Sequence, residues 1–367
     1  MTRSTPWLIA GLLLLAASSA TADWNQWRGP GRDGVAMDFE APKPWPASWG
    51  PAWRQEVGVG HSSPVVAGDR VFLHTREGEE ETVRALSLSD GRTLWKSSYP
   101  APYQVHSAAS DHGPGPKSTP VVAGGRLVTL GISGILSAFD AAGGELLWRH
   151  DLSDRFQRTS PAFGTAASPL VVDGKVIAPL GGHHDGVLAA FDLATGKTLW
   201  ELPGDGPGYA SPMIVDAAGV RQVVTQTDQH VVGVALSDGR LLWQLPFTTP
   251  YSQNAVTPLV VGDLVIISGL EQGVAAYRLA EREGFVIPQR VWHTTEIGFY
   301  MSSPLLLDGR LWGMAHQKAG QLVGSSERAG VGSRSFVRGL MRRLLWKPGS
   351  GSQPQISPRG PMRRPST

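Results

Sequence analysis

The sequence predicts an all-β fold, a ring of four-stranded antiparallel blades, from two motifs that recur along the chain and a composition rich in turn residues. The first motif is Ser or Thr, then Pro, then an apolar pair. It stands at Ser63-Pro64-Val65-Val66, Thr119-Pro120-Val121-Val122, Ser168-Pro169-Leu170-Val171, Ser211-Pro212-Met213-Ile214, Thr257-Pro258-Leu259-Val260 and Ser303-Pro304-Leu305-Leu306, with prolines 56, 49, 43, 46 and 46 residues apart. The second motif is a glycine turn followed by Leu-Trp. It runs from Asp90-Gly91 to Trp95, Gly143-Gly144 to Trp148, Thr195-Gly196 to Trp200 and Asp238-Gly239 to Trp243, with a blurred fifth copy ending at Trp292 after Glu281-Arg282-Glu283. The 45 Gly and 28 Pro supply the turns that many short strands need.

Each blade element follows in order. Pro opens the first strand, where its missing N–H costs no ladder bond. A turn such as Gly68-Asp69 or Asp173-Gly174 leads to a second strand, for example Lys175–Leu180. Gly181-Gly182 turns into a third strand over 187–192, and a Thr-Gly or Asp-Gly hairpin leads to the Leu-Trp strand. No segment keeps a helical period. About six such blades lie within 53–323, the predicted propeller. Trp95, Trp148, Trp200, Trp243 and Trp292 are expected to seal each blade against the next, an indole burying about 200 Å².

The flanks read differently. Arg3, an apolar run over 8–17 and the small-x-small Ala20-Thr21-Ala22 mark 1–22 as a removed signal peptide, which implies a periplasmic or secreted protein. Residues 23–52 read as an N-terminal extended segment, and 53–57 as a strand contributing to ring closure. Residues 324–367 read as a basic, disordered tail carrying net +8, which leaves −7 for 23–323. An acidic body carries no nucleic-acid footprint. The tail is read as the product of a frameshift, with two rivals: a natural basic tail, or an amphipathic segment whose Phe336, Leu340, Leu344 and Leu345 lie on an anionic membrane. The chain has no Cys, which excludes disulfides, thiolate metal sites, c-type haem attachment and a lipidated cysteine.

The repeated Phe-Asp or Leu-Ser, Thr-Gly, Leu-Trp unit resembles the pyrroloquinoline quinone (PQQ) repeat. The opening Trp24-Asn25-Gln26-Trp27-Arg28-Gly29-Pro30 with Asp33-Gly34 resembles the start of secreted PQQ-binding-like β-propeller repeat proteins. The resemblance covers about 24–323 and implies seven or eight blades. It spans both alcohol or glucose dehydrogenases and assembly scaffolds, so it speaks to fold and not to activity. The dehydrogenases it brings to mind use a vicinal disulfide, calcium-binding carboxylates and an Asp base. Cysteine is absent here, and Asp140 and Asp192 sit at hairpin turns where a structural role is expected. His183-His184-Asp185, and the loop residues His106, Asp111 and His112, read as solvated loop groups and not as metal ligands.

The candidate site is the mouth of the central channel. Residues three before each motif proline should crowd one rim: His61, Lys117, Ala166, Tyr209, Ala255 and Met301, with Tyr251, Gln253 and Asn254 nearby. Their variety from blade to blade suits a tailored site, and His61, Lys117, Tyr209, Tyr251, Gln253 and Asn254 are the candidate ligand-binding residues. A water-lined channel without ligand is the alternative. Thr225-Gln226-Thr227 is expected to make cross-strand bonds. The expected function is a non-catalytic scaffold that binds a protein segment or small ligand at a propeller face, with no cofactor, no metal, no catalytic residue, no nucleic-acid partner and no transmembrane anchor. One alternative is an oxidoreductase of alcohols or sugars dependent on PQQ and calcium. The other is an inactive truncated paralogue.

Overall fold

A computed structural model describes residues 23–36, 39–153, 161–183, 185–316, 321–325 and 336–338. Residues 1–22, read as a signal peptide, His184, and 326–335 and 339–367 of the region read as a tail lie outside the described residues. Six sheets of four strands follow one another, each a meander in sequence order with antiparallel pairing throughout. They form blades 1 to 6 over 65–100, 121–150, 170–204, 213–246, 259–294 and 305–338. The fold is an all-β propeller. Two short 3₁₀ turns, Ser107–His112 and Pro250–Ser252, lie in the connections between blades.

The first strand of each blade begins just after the motif proline: Val65–Ala67, Val121–Ala123, Leu170–Val172, Met213–Ala217, Leu259–Val261 and Leu305–Leu307. The recurring hydroxyl before that proline links blade to blade. Each backbone N–H donates to the hydroxyl of the next blade: Ser63 to Thr119 (3.3 Å), Thr119 to Ser168 (3.0 Å), Ser168 to Ser211 (2.9 Å), Ser211 to Thr257 (3.0 Å) and Thr257 to Ser303 (3.2 Å). A buried N–H must find an acceptor. A Ser or Thr at this one position gives the preceding blade its acceptor, which explains why a hydroxyl recurs there in every copy.

Three of the repeated tryptophans reach the next blade through the indole N–H. Trp95 Nε1 donates to Ala141 O, Trp148 to Leu193 O and Trp200 to Leu236 O, each at 3.1 Å and each in the next blade. Each of these three rings lies on the turn glycine of that blade, Gly144, Gly196 and Gly239, where a Cβ would meet the indole at 2.4, 2.7 and 2.7 Å. Across its own sheet each Trp pairs with a small residue: Ala85, Ala138, Ala190, Gly233 or Ala276. A bulge follows that small residue in all five blades. Trp243 differs, because the next blade replaces the short turn by the long hairpin of Gly273–Arg282 and Phe285–Thr294. Its Nε1 instead bonds Gln222 Oε1 within its own blade at 2.8 Å.

Residues 53–57 form no ladder, which corrects the expected closing strand. Trp53 acts instead as a sixth seal: its Nε1 donates to Leu88 O at 2.8 Å and its ring lies on Gly91 of blade 1. The last sheet also runs past the boundary drawn at 323/324. Gln321–Ser325 pairs with Phe336–Arg338, so part of the region read as a tail is strand. Residues 24–35 lie among the first strands of blades 1, 2, 3 and 6 and are not extended.

Candidate functional site

The sequence placed a site at the rim just ahead of the motif prolines, and the structure brings part of that set together. Lys117, ahead of blade 2, is half-buried, and its Nζ donates to Phe163 O at 2.6 Å while standing 5.7 Å from the Phe163 ring centroid. Burial pushes the Lys117 amine below its ordinary value. Tyr209, ahead of blade 4, accepts the Phe163 N–H on its hydroxyl at 3.4 Å, and the two rings meet edge-on at 6.0 Å. Burial raises the Tyr209 phenol, so it stays neutral at physiological pH. His61, ahead of blade 1, is exposed; its Nε2 lies 2.9 Å from His112 O, and the His112 ring is 5.1 Å from Phe163. The connections carrying Lys117 with His112 and carrying Tyr209 thus converge on Phe163, which lies in a third.

The remaining candidates separate. Tyr251 is 86% exposed and sits in the left-handed region (φ 63°), presented to solvent from its 3₁₀ turn. Gln253 is buried, with its Oε1 unpartnered among the described residues. Met301 is exposed. Asn254 is corrected: it is fully buried and committed to the fold. Its Nδ2 donates to Thr227 O (2.8 Å), Asp228 O (3.1 Å) and Phe247 O (2.8 Å), and its Oδ1 accepts from Thr249 Oγ1 (3.0 Å). These bonds tie blade 4 to the connection before blade 5, leaving nothing to offer a ligand.

Sequence reasoning missed Phe163, Tyr103 and Tyr300. The Tyr103 hydroxyl stands within 2.9 Å of where a Cβ on Gly164 would be, and Tyr300 meets His316 edge-on at 4.9 Å. The one available signal was aromatic residues inside Gly/Pro-rich connections on the side of the motif prolines. The histidine reading is also corrected in part. His183 is not a solvated loop group: its Nδ1 lies 2.9 Å from Oδ1 of the buried Asp228 carboxylate. Among the described residues no group of three or more His, Cys, Asp or Glu could hold a metal ion.

Asp140 and Asp192 take the structural role expected of them. Asp140 Oδ1 accepts from Gly143 N at 2.6 Å, and Asp192 Oδ1 accepts from Thr195 N and Oγ1 at 2.8 and 2.7 Å. Gln226 reaches further than its own sheet, donating from Nε2 to Ser268 O of the next blade at 3.1 Å.

A quinone with calcium fits these residues poorly. The first strands face an axis filled by the chain's own residues 24–35, with Trp27 flanked by the guanidiniums of Arg28 and Arg32 at 5.4 and 5.5 Å. Of the carboxylates on the side of the motif prolines, Asp228 meets His183, Asp205 meets His230, and buried Glu81 meets His74 and Tyr99.

The family profile that matches is described as outer membrane protein assembly factor BamB, over residues 47–112 and 79–335. Outer membrane protein assembly factor BamB of Yersinia pestis is 33% identical over 160 residues, 41% of this chain and 35% of that protein. Quinohemoprotein alcohol dehydrogenase ADH-IIG of Pseudomonas putida is 29% identical over 165 residues, 42% of this chain and 22% of that protein. The crystal structure of BamB from Moraxella catarrhalis superposes with a TM-score of 0.51 at 19% identity, covering 74% of each chain, which supports the fold. The aligned stretch spans about a third of the Yersinia relative.

Proposed function

This chain belongs to the outer membrane protein assembly factor BamB family of PQQ-repeat propellers, and from that premise we propose that it is a non-catalytic scaffold, exported from the cytoplasm, that binds an extended protein segment at its propeller mouth. The observation that carries the reading is the convergence of Lys117, Phe163 and Tyr209, from three separate blade connections, within hydrogen-bond distance at one rim. An amine held against an aromatic ring keeps donor capacity, because one carbonyl uses one of its three N–H bonds. Aromatic walls beside it supply rigid contact area at low entropic cost. That pairing suits a segment carrying an acidic group next to an apolar or aromatic side chain. The names of the BamB relatives, assembly factors, agree with a protein partner.

Export rests on the leader pattern of residues 1–22. Among the described residues no helix is long and apolar enough to cross a membrane.

The test is selection of peptides from a displayed random library on the purified protein, run beside an assay for dye reduction with PQQ, calcium and a panel of alcohols and sugars. Recovered peptides enriched in acidic and aromatic residues, with no saturable turnover, support the scaffold. Saturable dye reduction transfers the chain to the oxidoreductase reading that its similarity to ADH-IIG leaves in play.

A further inference from the structure

Beyond that binding role, we infer that residues 24–35 form an axial strap that fastens blade 6 to blades 1, 2 and 3 across the centre of the ring. The sheets leave a need for it. Every sheet orders its strands 1-2-3-4, so the first strand of each blade has one edge unpaired within its sheet. Unpaired edge groups demand partners. The strap supplies them in turn. Trp24 exchanges two backbone bonds with Val66 of blade 1, at 2.9 and 3.0 Å. Asn25 does the same for Val122 of blade 2: its carbonyl accepts at 2.8 Å, and its side-chain Nδ2 donates at 3.0 Å. Arg32 donates to Ser168 O and Pro169 O at the start of blade 3, at 3.1 and 3.0 Å. Arg28 Nη2 donates at 2.8 Å to Pro304 O at the start of blade 6, which lies 276 residues along the chain.

The segment is shaped to reach all four blades. Gly29 N bonds Gln26 O, Arg32 N bonds Gly29 O and Gly34 N bonds Arg28 O, folding the backbone into consecutive turns. Gly29 and Gly34 hold positive φ of 78° and 81°. A Cβ on Gly29 would strike the Trp24 ring at 2.7 Å, and one on Gly34 would strike Leu305 of blade 6 at 2.8 Å. Arg32 is wholly buried, pushed down to about 9 by desolvation, and among the described residues bonded to neutral acceptors: Gln26 Oε1 and the two blade 3 carbonyls. A buried guanidinium is costly unless such acceptors meet it, so its place depends on blade 3. Trp24, Asn25 and Arg28 of the opening motif thereby each fasten one blade. The hydroxyl belt runs in series from Ser63 to Ser303, whereas the strap joins blade 6 directly to the first three blades.

Amide hydrogen exchange, followed by mass spectrometry on the full chain and its Arg28→Ala and Asn25→Ala variants, tests the strap. Arg28→Ala is expected to raise exchange at least tenfold in peptides covering 305–307, with a rise at 65–67 and 121–123 as the strap loosens. Exchange at Met213–Ala217 of blade 4 should stay unchanged. Faster exchange confined to 24–35, or an equal rise in all six blades, would overturn the inference. Should Arg28→Ala fail to fold, Asn25→Ala removes one side-chain bond and is read alone. Selective loss of protection at 121–123 upholds the strap, and none refutes it.

Discussion

The indole of Trp95 rests on Gly144 of the next blade: a Cβ at that glycine would stand 2.4 Å from Cε3, while the indole N–H reaches Ala141 O at 3.1 Å. The same turn glycine holds φ of 79°, so two independent constraints forbid a side chain there. Packing and turn geometry are one device in this fold, repeated at Trp148 with Gly196 and at Trp200 with Gly239.

Gly196→Ala is therefore expected to destabilise the protein by about 1–3 kcal/mol through the left-handed backbone alone, and by more once Trp148 is displaced. Trp148→Phe, which keeps most of the ring and drops the N–H, should cost less. Urea unfolding midpoints of the two variants check this order.

Acid should weaken the junction of blades 1 and 2. Glu81 is buried, an effect that by itself raises its carboxyl, yet the charge interaction and bond with His74, the Ile132 N–H at 2.8 Å and the Tyr99 hydroxyl at 2.8 Å together hold it below its ordinary value of 4.5. A carboxyl depressed in the folded state adds stability above its unfolded value and loses it as the pH falls through the folded one. Stability measured from neutral pH downward should thus begin to drop below about pH 4.5, and Glu81→Gln should flatten that limb. An unchanged slope in the variant would assign acid lability elsewhere.

Asn254→Ala should cost about 1–3 kcal/mol, because it strands the carbonyls of Thr227, Asp228 and Phe247. Any peptide recovered on the mouth should bind the folded variant with unchanged affinity. Thermal unfolding and a binding isotherm, taken together, separate the two effects.

Tyr209→Phe removes the hydroxyl that accepts the Phe163 N–H while keeping the ring contact. A stability loss of about 0.5–1.5 kcal/mol is expected from one hydrogen bond, with a several-fold loss of peptide affinity as the Phe163 connection loosens. Isothermal titration of the variant reads it.

The blades were legible because their motifs are local. A proline, a glycine turn and a tryptophan recur within each unit, and each reports a backbone requirement of its own neighbourhood. What the constant hydroxyl does was not legible, since its donor lies one blade away, 43 to 56 residues along the chain. The strap was hidden for the same reason: Arg28 finds its acceptor at Pro304. Glu81 is non-local in the same way: beside exposed Glu80 it is buried and accepts the Ile132 N–H of the next blade. At the mouth, Lys117, His61 and Tyr209 followed from their offset to the proline. Phe163, on which they converge, lies in a connection without a repeat to fix its place. Asn254 showed the limit of that offset, because proximity to the rim in sequence did not decide which way the side chain would be used.

The mouth is tested most directly by the affinity of a library-selected peptide for the wild type and for Lys117→Met, measured by isothermal titration. Loss of a charge-assisted contact predicts about 10- to 100-fold weaker binding, beside a stability loss of about 0.5–1.5 kcal/mol from the missing bond to Phe163 O. Equal affinity for the two proteins would contradict the assignment of this rim as the binding surface.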